Sequence, residues 1–274
     1  MSKIDTRMPS PEGVGAGQTA TFKLPIGKMY HELQLSYTGV TLAEMTEIRV
    51  MVNGKVIHRY SATERNTINM FDGRLTAGGI LVIPFERYNL KTLVAERETA
   101  LNTGSMNAQG VGITQLTVEI DLDAGIITSP VLSMNATQST RKEGGAGTVL
   151  HCVKHSYSVA GAGNFEISDL PRGQQTSIAL NRIFFIPSAN DITEMKIERN
   201  QYNIFQRTKA LNERIQRNGV RTPQVGVVAI DKSENGEGGN WIDLLGISDY
   251  RYHLEVTGAC TIQILSENVG RLGD

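Results

Sequence analysis

Hydrophobic and polar residues alternate over short stretches along most of the chain, the period of a strand with one face in a core and the other in water. Ala20, Phe22 and Leu24 face one way in the first such run. Leu33, Leu35 and Tyr37 do so in the second, with Glu32, Gln34 and Ser36 opposite. Ile48, Val50 and Val52 follow, then residues 80–85, and then Leu116, Val118, Ile120 and Leu122. Further extended runs cover 130–139, 149–159, 165–167 and 178–186. The last two, Tyr252-Leu254-Val256 and Cys260-Ile262-Ile264, are separated by a Thr257-Gly258 turn. Between strands, Asn53-Gly54 tolerates the positive φ of a two-residue type I′ hairpin turn, which sets Val50 opposite Ile57. Ser61-Ala62-Thr63-Glu64 fits a capping box and predicts a short helix to about Phe71, closed near Gly73.

One stretch of this pattern occurs twice. Residues 46–65 return 147 positions later as 193–212: Thr46 and Glu47 as Thr193 and Glu194, Asn53 as Asn200, Ile57 as Ile204. Ile197 is then expected opposite Ile204, and Thr208 to Asn218 is the corresponding helix, with Leu211 and Ile215 on one side, Gly219 as its stop and Ile215 in the place of Ile68. Upstream, Lys23-Leu24-Pro25-Ile26-Gly27 matches Asp169-Leu170-Pro171-Arg172-Gly173 at an offset of 146; downstream, 79–83 matches 226–230 at 147. Solenoid repeats are ~20–50 residues long. This much longer period means two domains of one fold in tandem. Short strands, turn signals and one helix per half give an all-β chain of two antiparallel sandwiches. About eight strands in each half fit the jelly roll rather than the immunoglobulin type, so the expected fold is a double jelly roll, each roll with a short helix.

The expected boundaries are a flexible N-terminal arm at 1–17, rich in proline and glycine, a first roll at 18–141 and a second at 142–274, with 141–147 as linker. The stretches 86–110 and 231–243 read as long excursions at loop ends, able to decorate an outer face or clasp neighbours.

Composition narrows the function classes. A net charge of −1 provides no general field for nucleic acid or an anionic membrane, so no specific nucleic acid is expected as partner. No apolar run is long enough to span a bilayer, and the N-terminus lacks the apolar centre of a secretory signal. Two cysteines, Cys152 and Cys260, do not make a disulfide framework and fit synthesis in a reducing cytoplasm.

Candidate chemistry is sparse. His151 and His155, on one face of a strand, lie about 13 Å apart at the usual rise, too far to share a zinc ion. The run 231–236 repeats the opening of an EF-hand loop, with oxygen ligands at Asp231, Ser233 and Asn235 and glycine at the sixth position. Calcium there is the one metal expectation. The twelfth position is Ile242, not glutamate, and a solvated acidic turn is the competing reading. The basic stretch 206–221 reads as a solvated or subunit-facing helix surface. Nucleophile elbow, phosphate-binding glycine loop and paired carboxylates are absent from the sequence, so no catalytic residue is expected.

The segment GAGQTATFKLPIGKMYHELQL, the C-terminal YHLEVTGACTIQILSENVGRL and the tandem repeat together resemble the major capsid proteins of corticovirus-type tailless, lipid-containing phages. The resemblance runs from about Gly15 to Leu272. It implies two jelly rolls side by side, normal to the capsid surface. It also implies homotrimers of pseudo-hexagonal outline that tile an icosahedral virion shell beside neighbouring capsid trimers and vertex and membrane proteins, with the N-terminal arm on the inner membrane surface. The rival from another class is a jelly-roll carbohydrate-binding module or lectin, for which 6% aromatics and one tryptophan offer little stacking surface. A cupin-type enzyme would need a histidine cluster, and the five histidines are scattered.

Overall fold

The computed structural model describes residues 2–74 and 78–273. The first half contains β1 (Ile4–Arg7), β2 (Thr19–Leu24), β3 (Met29–Thr38), β4 (Met45–Val52), β5 (Lys55–Tyr60), α1 (Ala62–Phe71), β6 (Ile80–Pro84), α2 (Leu93–Glu96), β7 (Leu101–Asn102), β8 (Leu116–Leu122) and β9 (Val131–Ser139). The second contains β10 (Val149–Val159), β11 (Gly163–Ile167), β12 (Ala179–Pro187), β13 (Ile192–Arg199), β14 (Tyr202–Thr208), α3 (Lys209–Gln216), β15 (Val228–Asp231), β16 (Ile242–Asp243), β17 (Tyr250–Val256) and β18 (Cys260–Gly270).

Three sheets result. One is ordered β1-β9-β3-β6, with β7 beside β3, and another is β11-β17-β13-β14. Between them a single sheet runs β15-β12-β18-β10-β5-β4-β8-β2, with β16 beside β12. Its first four strands come from the second half and its last four from the first. Each roll is therefore a sandwich of two four-stranded sheets plus one two-residue strand, the double jelly roll expected from the strand pattern. All strand pairs within a roll are antiparallel, so the alternating residues close one core per roll: Phe22, Leu33, Ile48 and Val118 in the first, Ile183, Met195, Ile197 and Leu254 in the second.

The duplication reaches down to irregularities. The ladder slips between Tyr30 and Glu32 in β3 and between Leu180 and Arg182 in β12. It slips between Met45 and Glu47 in β4 and between Ile192 and Glu194 in β13. A third slip, between Val50 and Met51, recurs between Ile197 and Glu198. Bulges re-aim a strand and are kept where the bend is needed; three recurring at matching places mark two copies of one roll.

That third bulge corrects the hairpin register. The turn is as expected, with Val52 opposite Lys55 and positive φ at Asn53 and Gly54. The extra residue, however, sets Val50 opposite His58 rather than Ile57, and Ile197 opposite Phe205 rather than Ile204. Alternation reveals a strand's faces but not an inserted residue.

The arm expected to be flexible is also corrected. Residues 4–7 form β1, paired with β9 from Ile4↔Gln138 to Arg7↔Asn135, and Met8 is buried where the Tyr30 hydroxyl meets its sulfur. β1 is the counterpart of β10, so the first roll begins well before residue 18. Proline and glycine are confined to the stretch after it. Residues 1 and 274, the outer ends of the expected arm and second roll, lie outside the described residues. The linker is a loop, but a pinned one: the Asn102 side-chain amide donates to the carbonyls of Lys142 and Gly145, both at 2.7 Å.

Because Lys3 and Arg7 flank a paired strand, brief trypsin treatment of the native protein should leave the N-terminus intact, as read by mass spectrometry; ready cleavage after Arg7 would contradict β1. Met8→Ala should lower unfolding free energy by about 2 kcal/mol, as buried methionine truncations do, measured by urea denaturation.

Candidate functional site

The two rolls meet where edge strand β5 runs parallel to edge strand β10, bridged at Cys152↔His58. His58 Nε2 lies 3.0 Å from the Leu150 carbonyl, and burial pushes this imidazole down to about 3, so it is neutral. Burial likewise pushes the Cys152 thiol up, which makes it an inert packing residue. The helix that follows β5, α1, faces the second roll: Phe71 packs edge-on against Phe184 at 5.4 Å, Glu64 pairs with Lys154 at 2.7 Å, and the Phe71 carbonyl accepts from the Thr222 amide. α1 ends on Gly73, with φ of +68°; a Cβ there would stand 2.6 Å from the Val220 carbonyl oxygen.

Inside this joint lies a closed charge cluster. Arg182 donates to both carboxylate oxygens of Asp72, at the end of α1, and to both of Glu267, in β18. Arg65 of α1 lies 3.5 Å from Glu267, and Arg221 lies 4.0 Å from Asp72 and 2.7 Å from Asp231. All six side chains are buried. Three cations face three anions, so the cluster is neutral as a whole. Burial works to raise the Asp72 carboxyl, but Arg182, bonded to it, and Arg221 and Arg65 beyond outweigh that and hold it below the usual range. Arg182 is raised correspondingly: burial opposes its charge, and the two carboxylates more than restore it.

Of the three residues expected to hold calcium, Asp231 and Ser233 lie at the same cluster. Asp231 Oδ2 accepts from Arg221 Nε at 2.7 Å, and Ser233 Oγ accepts from Arg221 Nη2 at 3.2 Å. Asp231 Oδ1 accepts from both the amide and the hydroxyl of Ser233. Asn235 Oδ1 instead accepts from the Glu237 amide at 3.1 Å. Two of the three therefore come together, and the cation they surround is a guanidinium. The rest of the loop clasps the 86–110 excursion of the first roll. Lys91 N donates to the Gly236 carbonyl, Arg221 reaches the Tyr88 carbonyl, and Arg87 lies over the Trp241 ring at 5.0 Å. Gly238 is required there, since a Cβ would stand 2.3 Å from that of Ala95. The two excursions thus clasp each other within one chain.

A constellation that the sequence did not reveal joins residues far apart in the chain. His31 Nε2 lies 2.7 Å from Ser139 Oγ, and His31 Nδ1 bonds to Glu86. This is the order of a hydrolytic triad. Its carboxylate, however, already faces Lys3 at 2.6 Å and Arg97 at 3.9 Å, so the charge that would stabilise an imidazolium is balanced elsewhere. Burial works to raise the Glu86 carboxyl, while His31 and Lys3 outweigh it. The trio ties β3, β9 and the loop after β6 together.

The outward copies of the joint elements are uncovered. Ile68 of α1 is 1% exposed, whereas Ile215, in its place on α3, is 41% exposed and Leu211 is 51%. The basic stretch places Lys209, Arg214 and Arg217 on this same helix and its end. Among the described residues, edge strands β14 and β1 likewise have a strand partner on one side only.

Comparison with known proteins follows this division of the chain. The Viral coat protein P2 N-terminal domain family matches residues 5–139, and the Viral coat protein P2 C-terminal domain family matches 149–272. The major capsid protein P2 of Pseudoalteromonas phage PM2 is 30% identical over 165 residues, which span 58% of this chain and 57% of that protein. The crystal structure of the major capsid protein P2 from bacteriophage PM2 superposes with a TM-score of 0.88 at 23% identity, covering 100% of both chains. A chain from the structure of Sulfolobus turreted icosahedral virus superposes with a TM-score of 0.67 at 11% identity, covering 98% of this chain and 91% of that one. At these identities the structural likeness speaks for the fold.

Removing one member of the buried cluster strands its partners, which costs about 3–5 kcal/mol; Asp72→Asn should do so, as read by denaturant unfolding at neutral pH. The sign with pH follows from the lowered Asp72 carboxyl. Its stabilisation is present above the carboxyl's unfolded-state pKa and is lost as pH falls through the lower folded value. The wild type should therefore lose stability with acid more steeply than Asp72→Asn over that window. For the loop, Asp231→Asn should lower the melting temperature equally in calcium and in chelator, because the lost partner is Arg221; a loss confined to calcium would show a bound metal instead.

Proposed function

Because the chain belongs to the P2 viral coat protein family, we propose that it is a structural protein rather than an enzyme: the major capsid protein of a tailless icosahedral phage, whose trimers tile the virion shell. The observation that carries this reading is the joint between the rolls. Two copies of one roll stand side by side through unlike edges, β5 of the first and β10 of the second, which leaves β1 free at one end and β14 at the other. Such a unit adds head to tail, and a head-to-tail contact that closes makes a ring. Three chains then present six like rolls, the outline a six-coordinated lattice position needs.

The same reading places neighbouring trimers, vertex proteins and membrane proteins of the virion around the ring, and puts synthesis in the host cytoplasm before assembly. Contact of the N-terminal segment with an inner membrane surface is supported by the resemblance and by the exposed residues on either side of β1. The lectin alternative loses its best aromatic, since Trp241 is half-buried beneath Arg87.

Light scattering on the purified protein should give three times the 30.0 kDa chain mass, and a glycan array should show no binding. A stable monomer with a defined sugar ligand would move the reading to the lectin.

A further inference from the structure

Resting on that trimer reading, we infer that the contact between copies repeats the internal joint strand for strand, with β1 of one copy laid parallel to β14 and α3 of the next, and that it does so with polar rather than apolar chemistry. The recurring bulges supply the residue correspondence. Cys152 pairs with Glu267, as Asp5 pairs with Thr137; Lys154 pairs with Leu265, as Arg7 pairs with Asn135. Arg182 and Phe184 follow the bulge in β12 as Glu32 and Gln34 follow it in β3. On the other side, His58 opposite Val50 corresponds to Phe205 opposite Ile197.

Transferring the internal Cys152↔His58 bridge to the free edges puts Asp5 of one copy beside Phe205 of the next. Both are edge strands with unpaired backbone groups on one side, which are templates for a further strand. The side chains change character in the transfer. Phe184, Leu265 and Cys152, which join the first core across the internal joint, become Gln34, Asn135 and Asp5. Cys152 and Tyr60 both lie in the first core at the internal joint, Tyr60 two residues along β5 from the bridged His58; their counterparts are Asp5 and Arg207, an acid beside a base. Glu64 and Lys154, 2.7 Å apart inside, become Leu211 and Arg7, which gives the exposed Leu211 the aliphatic stem of an arginine to cover it.

This difference fits the order of events. The internal joint forms as one chain folds and is a continuous core with a neutral ion cluster. The contact between copies must wait in water as free surface, and polar edges keep the unassembled chain from pairing at random.

The contact can be trapped. In a Cys260→Ser background, Asp5→Cys combined with Phe205→Cys should give covalent dimers and trimers on mild oxidation, seen on a non-reducing gel, because directly bridged strands bring Cα atoms within disulfide range. A second measurement does not depend on Phe205. Asp5→Arg should raise the protein concentration at which trimers dissociate at least tenfold, as should Arg207→Asp, and the double variant should recover most of the loss. Trimers that neither cross-link nor respond to these charge reversals would overturn the assigned surface while leaving the trimer reading intact. A wild-type protein that is monomeric throughout would overturn both.

Discussion

Arg182 is held in the joint by Asp72 from the first roll and Glu267 from its own, and the relation of the two rolls depends on that contact. A buried guanidinium tolerates no missing partner, because an uncompensated charge in a low-dielectric interior costs several kcal/mol. Sliding one roll against the other would separate Arg182 from Asp72 and Arg65 from Glu267 together. Apolar packing of Phe71 on Phe184 accepts a range of offsets; a set of three cations and three anions does not. The cluster therefore sets the angle and register at which two otherwise similar sandwiches are fused, and α1, which contributes Arg65 and Asp72, is fixed with them.

The joint also explains where the strand pattern breaks. β12 is buried along seven consecutive residues from Ala179, and β18 is buried from Ile264 to Gly270. One face of each lines the second core and the other faces the first roll, so neither face is open to water, and the polar residues buried there, Arg182 and Glu267 among them, are paired. Their counterparts β3 and β9 keep a half-exposed second face and hence the alternation of Leu33, Gln34 and Leu35. The same element is read as half-buried or fully buried according to its place in the pair. What distinguishes the two copies is thus the chemistry of the faces, while the backbone, bulges included, is held in common.

Two arrangements that look reactive are engaged in holding the fold together. Asp231 and Ser233 show how a ligand-like spacing is turned to structure. The Arg221 guanidinium bonds both side chains and so ties the loop to the joint, and the loop in turn grips the 86–110 excursion through Lys91 and Trp241. His31, Ser139 and Glu86 show the converse, a reactive-looking arrangement whose carboxylate is neutralised by Lys3 and Arg97 and which serves to fasten strands.

The sequence by itself determined the double jelly roll, because strand alternation, the Asn53-Gly54 turn, the Ser61 capping box and the 147-residue period are all local or self-comparing signals, readable without knowing what packs on what. It did not determine the bulge that moves Val50 to His58, since one inserted residue leaves alternation on either side intact. Nor did it reveal that residues 4–7 are a strand, because four mostly exposed edge residues carry no hydrophobic period; only the ladder offered by β9 orders them. Equivalence in the repeat made Ile68 and Ile215 alike, and only the tertiary structure separated them, by laying the second roll over one helix and leaving the other bare. The cation that meets Asp231 was likewise beyond spacing, for Arg221 reaches it from the loop after α3, and which charge occupies a ring of oxygens is decided by what the rest of the fold brings there.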